Sequence, residues 1–138
     1  MRIPKSIDRI LELGEAIYRH DFWARNSKPE KNGKKAAPPP ELKELERYLK
    51  SLPFSTLYFV ITAIEVGREL VHPLMFLTTY VAAAGAFPLH YQAIERVLKD
   101  PTHLALYLER GLRYLHEARI DANRLLEPWR VQAAAEAA

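Results

Sequence analysis

The feature that most constrains this chain is a nearly uninterrupted apolar stretch at residues 53–68, which reads Pro-Phe-Ser-Thr-Leu-Tyr-Phe-Val-Ile-Thr-Ala-Ile-Glu-Val-Gly-Arg. A helix at a protein surface shows one apolar stripe, whereas a helix that is apolar on every side is buried on every side. Ser51 and Pro53 are typical of a helix start, because a hydroxyl can cap free backbone donors and proline needs no donor in the first turn. The stretch predicts a central, buried helix.

The remainder of the chain predicts amphipathic helices around this centre. Apolar residues recur at three- and four-residue steps in segments at about residues 4–23, 41–50, 73–84, 88–99 and 101–127. The second segment should form an antiparallel hairpin with the central helix, because the link between them is short. Small residues, Gly111 among them, follow the apolar seam of the last helix and let a neighbouring backbone come close. We predict an all-α fold, a compact bundle of five to six helices in a single domain over residues 1–138.

One basic, Pro-rich segment at about residues 26–40 interrupts the helical pattern. It has no large apolar residue and is predicted to be a loop. Basic residues beside aromatic ones can hold phosphates and stack on bases. The segment predicts partner-binding residues for a nucleic acid or another polyanion, with solvated charges as the alternative: Trp23, Arg25, Lys28, Lys31, Lys34 and Lys35. The Ala-rich tail at about residues 131–138 is predicted to fray.

Two short motifs accompany the order of helices. They are Val66-Gly67-Arg68-Glu69 at the end of the central helix and Tyr107-Leu108-Glu109-Arg110-Gly111-Leu112 in the last helix. With them, the chain resembles a small bacterial helical family of unknown function. The basic loop, Glu65 and the uncharged run after Glu69 depart from that family's pattern. The resemblance implies the helical fold and no activity.

No Asp, Glu, Lys or Arg occurs between Leu70 and Ile94. The run is long enough to span a bilayer, but two prolines and a glycine divide it into two short helices. We therefore expect it to form buried core, with an exposed apolar patch or membrane association as alternatives.

A carboxylate on an apolar helix can serve as a general acid or base. Glu65 is such a carboxylate, and His72 and His90 are the nearby candidates for an enzyme pocket. We expect Glu65 instead to pair with Arg68, three residues further on, in a partly buried ion pair. No nucleophile elbow, phosphate loop or zinc motif is present.

Metal and cofactor sites have weak support. Glu69-Leu70-Val71-His72 has the Glu-x-x-His spacing of di-metal helical bundles, but Pro73 follows it directly. The second half of such a site would be Asp100 with His103, at a helix start. The chain has no cysteine, so thiolate ligands and disulfides are excluded. We predict no metal and no cofactor.

The leading functional prediction is a cytoplasmic, non-enzymatic protein–protein interaction module. No signal-peptide pattern is present, and the lack of cysteine fits a reducing compartment. The net charge of +3 is small, so it does not by itself indicate a polyanion binder. The apolar surface around residues 74–87 predicts a protein partner or self-association. Polyanion binding is the alternative, and an enzyme using Glu65 is the third possibility.

Overall fold

The residues that the structure describes fold into α-helices and one 3-10 turn. A computed structural model describes residues 5–26 and 38–120, and of residues 23–26 it describes the main chain alone. Within these ranges the helices are α1 (Lys5–Asn26), α2 (Pro40–Lys50), α3 (Phe54–Gly67), α4 (Phe76–Ala86), α5 (His90–Val97) and α6 (Leu104–Glu117). A 3-10 turn at Pro73–Met75 leads into α4. The predicted all-α bundle is confirmed.

Helix α3 is the centre of the bundle, as the apolar stretch predicts. Every one of its residues except Phe54 and Glu65 is buried. It packs against α4, α5 and α6, while α1 packs against α2 and α6. The predicted hairpin of α2 with α3 is wrong, because α2 packs mainly against α1 and α5.

The tightest contact in the bundle is the crossing of α3 and α6. A methyl group on Gly67 would lie 1.8 Å from the carbonyl oxygen of Tyr107, and one on Gly111 would lie 1.9 Å from that of Ala63. Both glycines therefore place backbone directly on backbone, which no other residue permits. Gly111 acts as the small-residue seam predicts, and the two motifs behind the family resemblance are the two sides of this crossing.

Helices α3 and α6 end in the same way. Past each end one residue has a positive φ of 63°, Glu69 after α3 and Arg119 after α6. The next residue donates its N–H five positions back, Leu70 to Glu65 at 3.1 Å and Ile120 to Leu115 at 2.8 Å. This is the Schellman motif, which satisfies the last free carbonyls. The prediction that the last helix continues to about residue 127 is therefore wrong.

The predicted caps are partly wrong. The Ser51 hydroxyl donates to the Tyr48 carbonyl at 2.6 Å, so it closes the end of α2. Helix α3 starts after Pro53 without a side-chain cap. Asp100 accepts the His103 backbone N–H at 3.4 Å, but α6 begins at Leu104 instead of at residue 101. Short polar side chains near a helix end can bond in either direction, and the neighbouring backbone decides between them.

Candidate functional site

Helix α4 is held to the bundle along one narrow side. Its buried residues are Phe76, Tyr80 and Ala83, at steps of four and three. The Phe76 ring lies 5.1 Å from that of Phe59, and the Tyr80 ring meets that of Tyr58 edge-on at 6.0 Å. Aromatic pairs in these geometries stabilise a contact beyond the area that they bury. These rings fix which side of α4 faces α3.

Two tyrosine hydroxyls complete this attachment. Tyr80 donates to the Ser55 carbonyl at 3.4 Å, and Tyr58 donates to the Phe87 carbonyl, just past α4, at 2.7 Å. Burial raises the pKa of the Tyr58 phenol. Burial, together with the neighbouring Tyr58, raises the pKa of Tyr80 to about 12. Both phenols are therefore held protonated in the folded protein.

The opposite side of α4 is exposed and mostly apolar, with Thr78 as a polar residue on it. Leu77 and Val81, one turn apart, are 53% and 56% exposed, and Leu74 in the preceding turn is 73% exposed. Ala82 and Gly85 continue this side and are exposed as well. We call Leu74, Leu77, Val81, Ala82 and Gly85 the α4 face. It has no charged residue, since none occurs between residues 70 and 94.

Exposed apolar side chains are concentrated in this part of the chain. Of the eleven large exposed apolar residues in the described ranges, seven lie between residues 70 and 91: Leu70, Leu74, Met75, Leu77, Val81, Leu89 and Tyr91. The expectation that this run forms buried core is therefore wrong for most of it. Patches of this kind mark interaction surfaces, whereas single exposed apolar residues need no explanation.

Gly85 differs from the other described helix glycines. A methyl group at Gly14 would contact Ala105 at 3.0 Å, and Gly67 and Gly111 lie against backbone. At Gly85 a methyl group would meet nothing within 4 Å. Glycine in a helix is less stable than alanine by about 1 kcal/mol. Nothing in the described part of the fold offsets this loss at Gly85.

Glu65 has a different partner from the predicted one. It forms an ion pair with Arg96 of α5, and the two side chains are only 17% and 20% exposed. Arg68 instead lies over the ring of Tyr107, 5.8 Å from its centroid. The Glu65–Arg96 ion pair therefore joins α3 to α5. Removing either partner would leave the other charge largely buried and unpaired.

The candidate catalytic histidines each have a separate structural role. His72 accepts the Leu74 N–H through Nδ1 at 3.1 Å and so caps the 3-10 turn. His90 Nε2 donates to the Leu52 carbonyl at 2.8 Å, and its ring meets Phe54 edge-on at 5.1 Å. With Glu65 bound to Arg96, the structure gives no contact that joins these three residues into one catalytic group.

The Glu-x-x-His motif is likewise divided among other contacts. Glu69 accepts the Tyr114 hydroxyl at 2.8 Å, and Asp100 contacts the ring of His103 at 3.0 Å. Within residues 5–26 and 38–120 no group of three or more His, Cys, Asp or Glu side chains is placed to hold a metal ion. In the same ranges no helix has the length and hydropathy to cross a membrane.

The predicted partner-binding side chains of the basic segment are not among those that the structure describes. Trp23 and Arg25 lie on the last turns of α1, where the main chain alone is described. Lys28, Lys31, Lys34 and Lys35 lie outside the described residues, as does the tail at residues 131–138. Polyanion binding through this segment stays a prediction.

A scan of protein-family models, a search of curated proteins and a search of solved structures each gave no match. The resemblance to a small bacterial helical family stays a prediction. The residues of the site therefore have to be argued from their geometry.

The sequence predicted an apolar surface around residues 74–87 but not which residues of α4 are exposed, although one signal could have indicated them. Phe76, Tyr80 and Ala83 share one helix stripe, and a short helix against a single neighbour can bury only one stripe. Leu77 and Val81 lie outside that stripe. Their exposure follows because, within residues 5–26 and 38–120, α4 packs along one side against α3.

Proposed function

We propose that this protein is a non-enzymatic interaction module that associates with a second copy of itself through the α4 face. The observation that carries the proposal is the exposure of Leu74, Leu77 and Val81 on a segment without charge. The aromatic contacts of Tyr80 and Phe76 support it, because they hold the opposite side of α4 against α3. The α4 face is thus a preformed surface.

The driving force is the removal of these side chains from water. Full burial of a Leu or Val side chain contributes about 1.5–3 kcal/mol. In a two-fold symmetric contact each residue is buried twice, once on each copy. Part of this gain offsets the translational and rotational entropy that two separate molecules lose on association. We therefore expect a dimer of modest affinity.

A second copy is the occupant that the charge distribution favours. In a two-fold contact the same surface of each copy forms the interface. Any charged residue there would lie near the same residue of the second copy, and the two like charges would repel each other. The α4 face has none, and no like charges would be brought together. Depletion of charge at the centre is typical of protein interfaces. Gly85, with open space around it, would allow the backbone of a second α4 to approach closely.

The test compares Leu77→Glu with Leu106→Glu. Both residues are exposed leucines on helices, at 53% and 46%, but Leu106 lies on α6, away from the α4 face. We expect sedimentation equilibrium to show a concentration-dependent dimer for the wild type and for Leu106→Glu. Leu77→Glu should be monomeric, because two carboxylates would face each other in the contact.

Circular dichroism of both variants checks that the helices are retained, since an exposed position tolerates a charge. A wild-type protein that stays monomeric over the whole concentration range would overturn the proposal. Equal weakening of the dimer in both variants would place the contact somewhere other than on α4.

A further inference from the structure

A second site lies at the other end of α3, where it meets α5 and α6. The ends of these helices surround a pocket of about 350 Å³, within the range of small-molecule sites. Its lining combines apolar and cationic side chains: Ile64, Arg68, Arg96, Val97, Lys99, Asp100, Leu104 and Tyr107. Because none of these belongs to the α4 face, the pocket is independent of the proposed dimer contact.

The pocket has more positive than negative charge available. Arg96 is paired with Glu65, and Asp100 is in contact with His103. In the ranges that the structure describes, neither Arg68 nor Lys99 has a carboxylate within ion-pair distance. Arg68 and Lys99 therefore outnumber Asp100, the carboxylate that lines the same cavity, and the cavity keeps a net positive charge.

These cations are not needed to cap the helices on which they lie. The carbonyls of Ile64, Glu65 and Val66 at the end of α3 already accept backbone N–H groups at 2.8–3.1 Å. The carbonyls of Ile94 and Arg96 at the end of α5 do so at 3.0 and 3.4 Å. Satisfied carbonyls have little use for a further donor. Capping of α3 and α5 therefore does not require the side chains of Arg68 and Lys99.

The remaining lining is suited to a ring. Ile64, Val97 and Leu104 are buried and form an apolar floor. Two guanidinium groups lie over the Tyr107 ring, that of Arg68 at 5.8 Å and that of Arg110 at 5.9 Å from its centroid. Stacking by arginine orients its planar donors, so fewer degrees of freedom are lost when an anion binds.

We propose that this pocket binds a phosphomonoester with an aromatic or short apolar group. A phosphomonoester has a charge of about −1.5 to −2 at pH 7. Arg68 and Lys99 would supply two positive charges to it, against the single carboxylate of Asp100. The guanidinium group of arginine can donate two parallel N–H···O hydrogen bonds to two oxygens of one phosphate. The apolar floor and Tyr107 would hold the organic part.

The probe is phenyl phosphate, titrated into the full-length protein by isothermal titration calorimetry. Inorganic phosphate and benzoate are the comparison ligands, one without the ring and one with a single charge. We expect saturable binding, tightest for phenyl phosphate. Arg68→Gln and Lys99→Gln should each weaken it about tenfold, because each removes one charge-assisted contact.

The matched control is Arg113→Gln. Arg113 also lies over a tyrosine, 5.6 Å from the Tyr114 ring centroid, but it does not line the pocket. Its loss should leave the affinity for phenyl phosphate unchanged. Thermal unfolding of each variant confirms that the fold is retained. Absence of saturation, or equal weakening by Arg113→Gln, would overturn the site, and equal affinity for benzoate would overturn the phosphate assignment.

Discussion

The α3–α6 crossing and the α4 face both place glycine in a helix, but the surroundings of the two glycines are opposite. Gly111 lies against the Ala63 backbone, so tightly that an added methyl would be 1.9 Å from its carbonyl oxygen. Gly85 has open space. The fold explains the first glycine, whereas the second lies one residue before the end of α4, on the side that we propose as a dimer contact.

This comparison separates two uses of small residues. At the crossing, the backbones of α3 and α6 define the shape of the core, and a side chain there would force the helices apart. On the α4 face, Ala82 and Gly85 lie beside exposed leucine and valine, and a methyl group at Gly85 would meet nothing within 4 Å. Substitutions of the same kind should therefore have opposite effects in the two regions.

The largest effect is expected for Gly111→Ala. The added methyl would overlap backbone atoms, which cannot rotate away, and overpacking of this severity costs about 3 kcal/mol or more. This exceeds the gain of about 1 kcal/mol from the higher helix propensity of alanine. Urea unfolding followed by circular dichroism measures the change, and Gly67→Ala should behave alike, since its methyl would lie 1.8 Å from the Tyr107 carbonyl. A wild-type urea midpoint for Gly111→Ala would contradict the close crossing.

An intermediate effect on the free energy of unfolding is expected when Tyr80, which attaches α4 to α3, loses its phenol proton at high pH. Its pKa of about 12 lies above the ordinary value near 10, so the folded protein holds the phenol proton more tightly than the unfolded chain. The stabilisation is complete below about pH 10 and is lost as pH rises toward 12, up to about 2–3 kcal/mol. Tyr80→Phe should show a smaller loss of stability over this interval.

The measurement is chemical unfolding at several pH values between 9 and 12. Tyr91→Phe is the control, because the Tyr91 ring is 57% exposed. An identical pH dependence in Tyr80→Phe and the wild type would show that burial of this phenol does not hold α4 in place.

The smallest effect, and one of opposite sign, is expected for Gly85→Ala. Open space surrounds this position, so alanine should raise the free energy of unfolding by about 0.5–1 kcal/mol. The measurement uses the Leu77→Glu background, in which dimerisation does not add to stability. In the otherwise wild-type chain the same substitution should weaken the dimer, because the added methyl separates the two copies. Destabilisation similar to that of Gly111→Ala would mean that Gly85 is packed within the chain.

Much of the fold was predictable because helix periodicity and apolar runs are local signals. The burial of α3 follows from apolar residues on all its sides, and the segments at 41–50 and 88–99 lie within a few residues of α2 and α5. The end of α6 was not predictable, since the left-handed position is occupied by Arg119 where glycine is usual.

The site was less predictable because it depends on neighbours that are distant in sequence. Arg68 is the nearest cation to Glu65 in its helix, yet Arg96, from α5, is the partner. The run at residues 70–94 shows the same limitation. An apolar sequence indicates which side chains avoid water, but it does not state whether another helix is there to cover them.

The sequence by itself determined the helices, the central position of α3 and the absence of charge on α4, since each follows from residue types at short spacing. Only the tertiary structure decided that, within the described residues, α4 packs against α3 along one side, that Glu65 pairs with Arg96, and that Arg68 and Lys99 face one pocket. These contacts join residues from separate helices, and their geometry is set by the packing of whole helices around the glycine crossing.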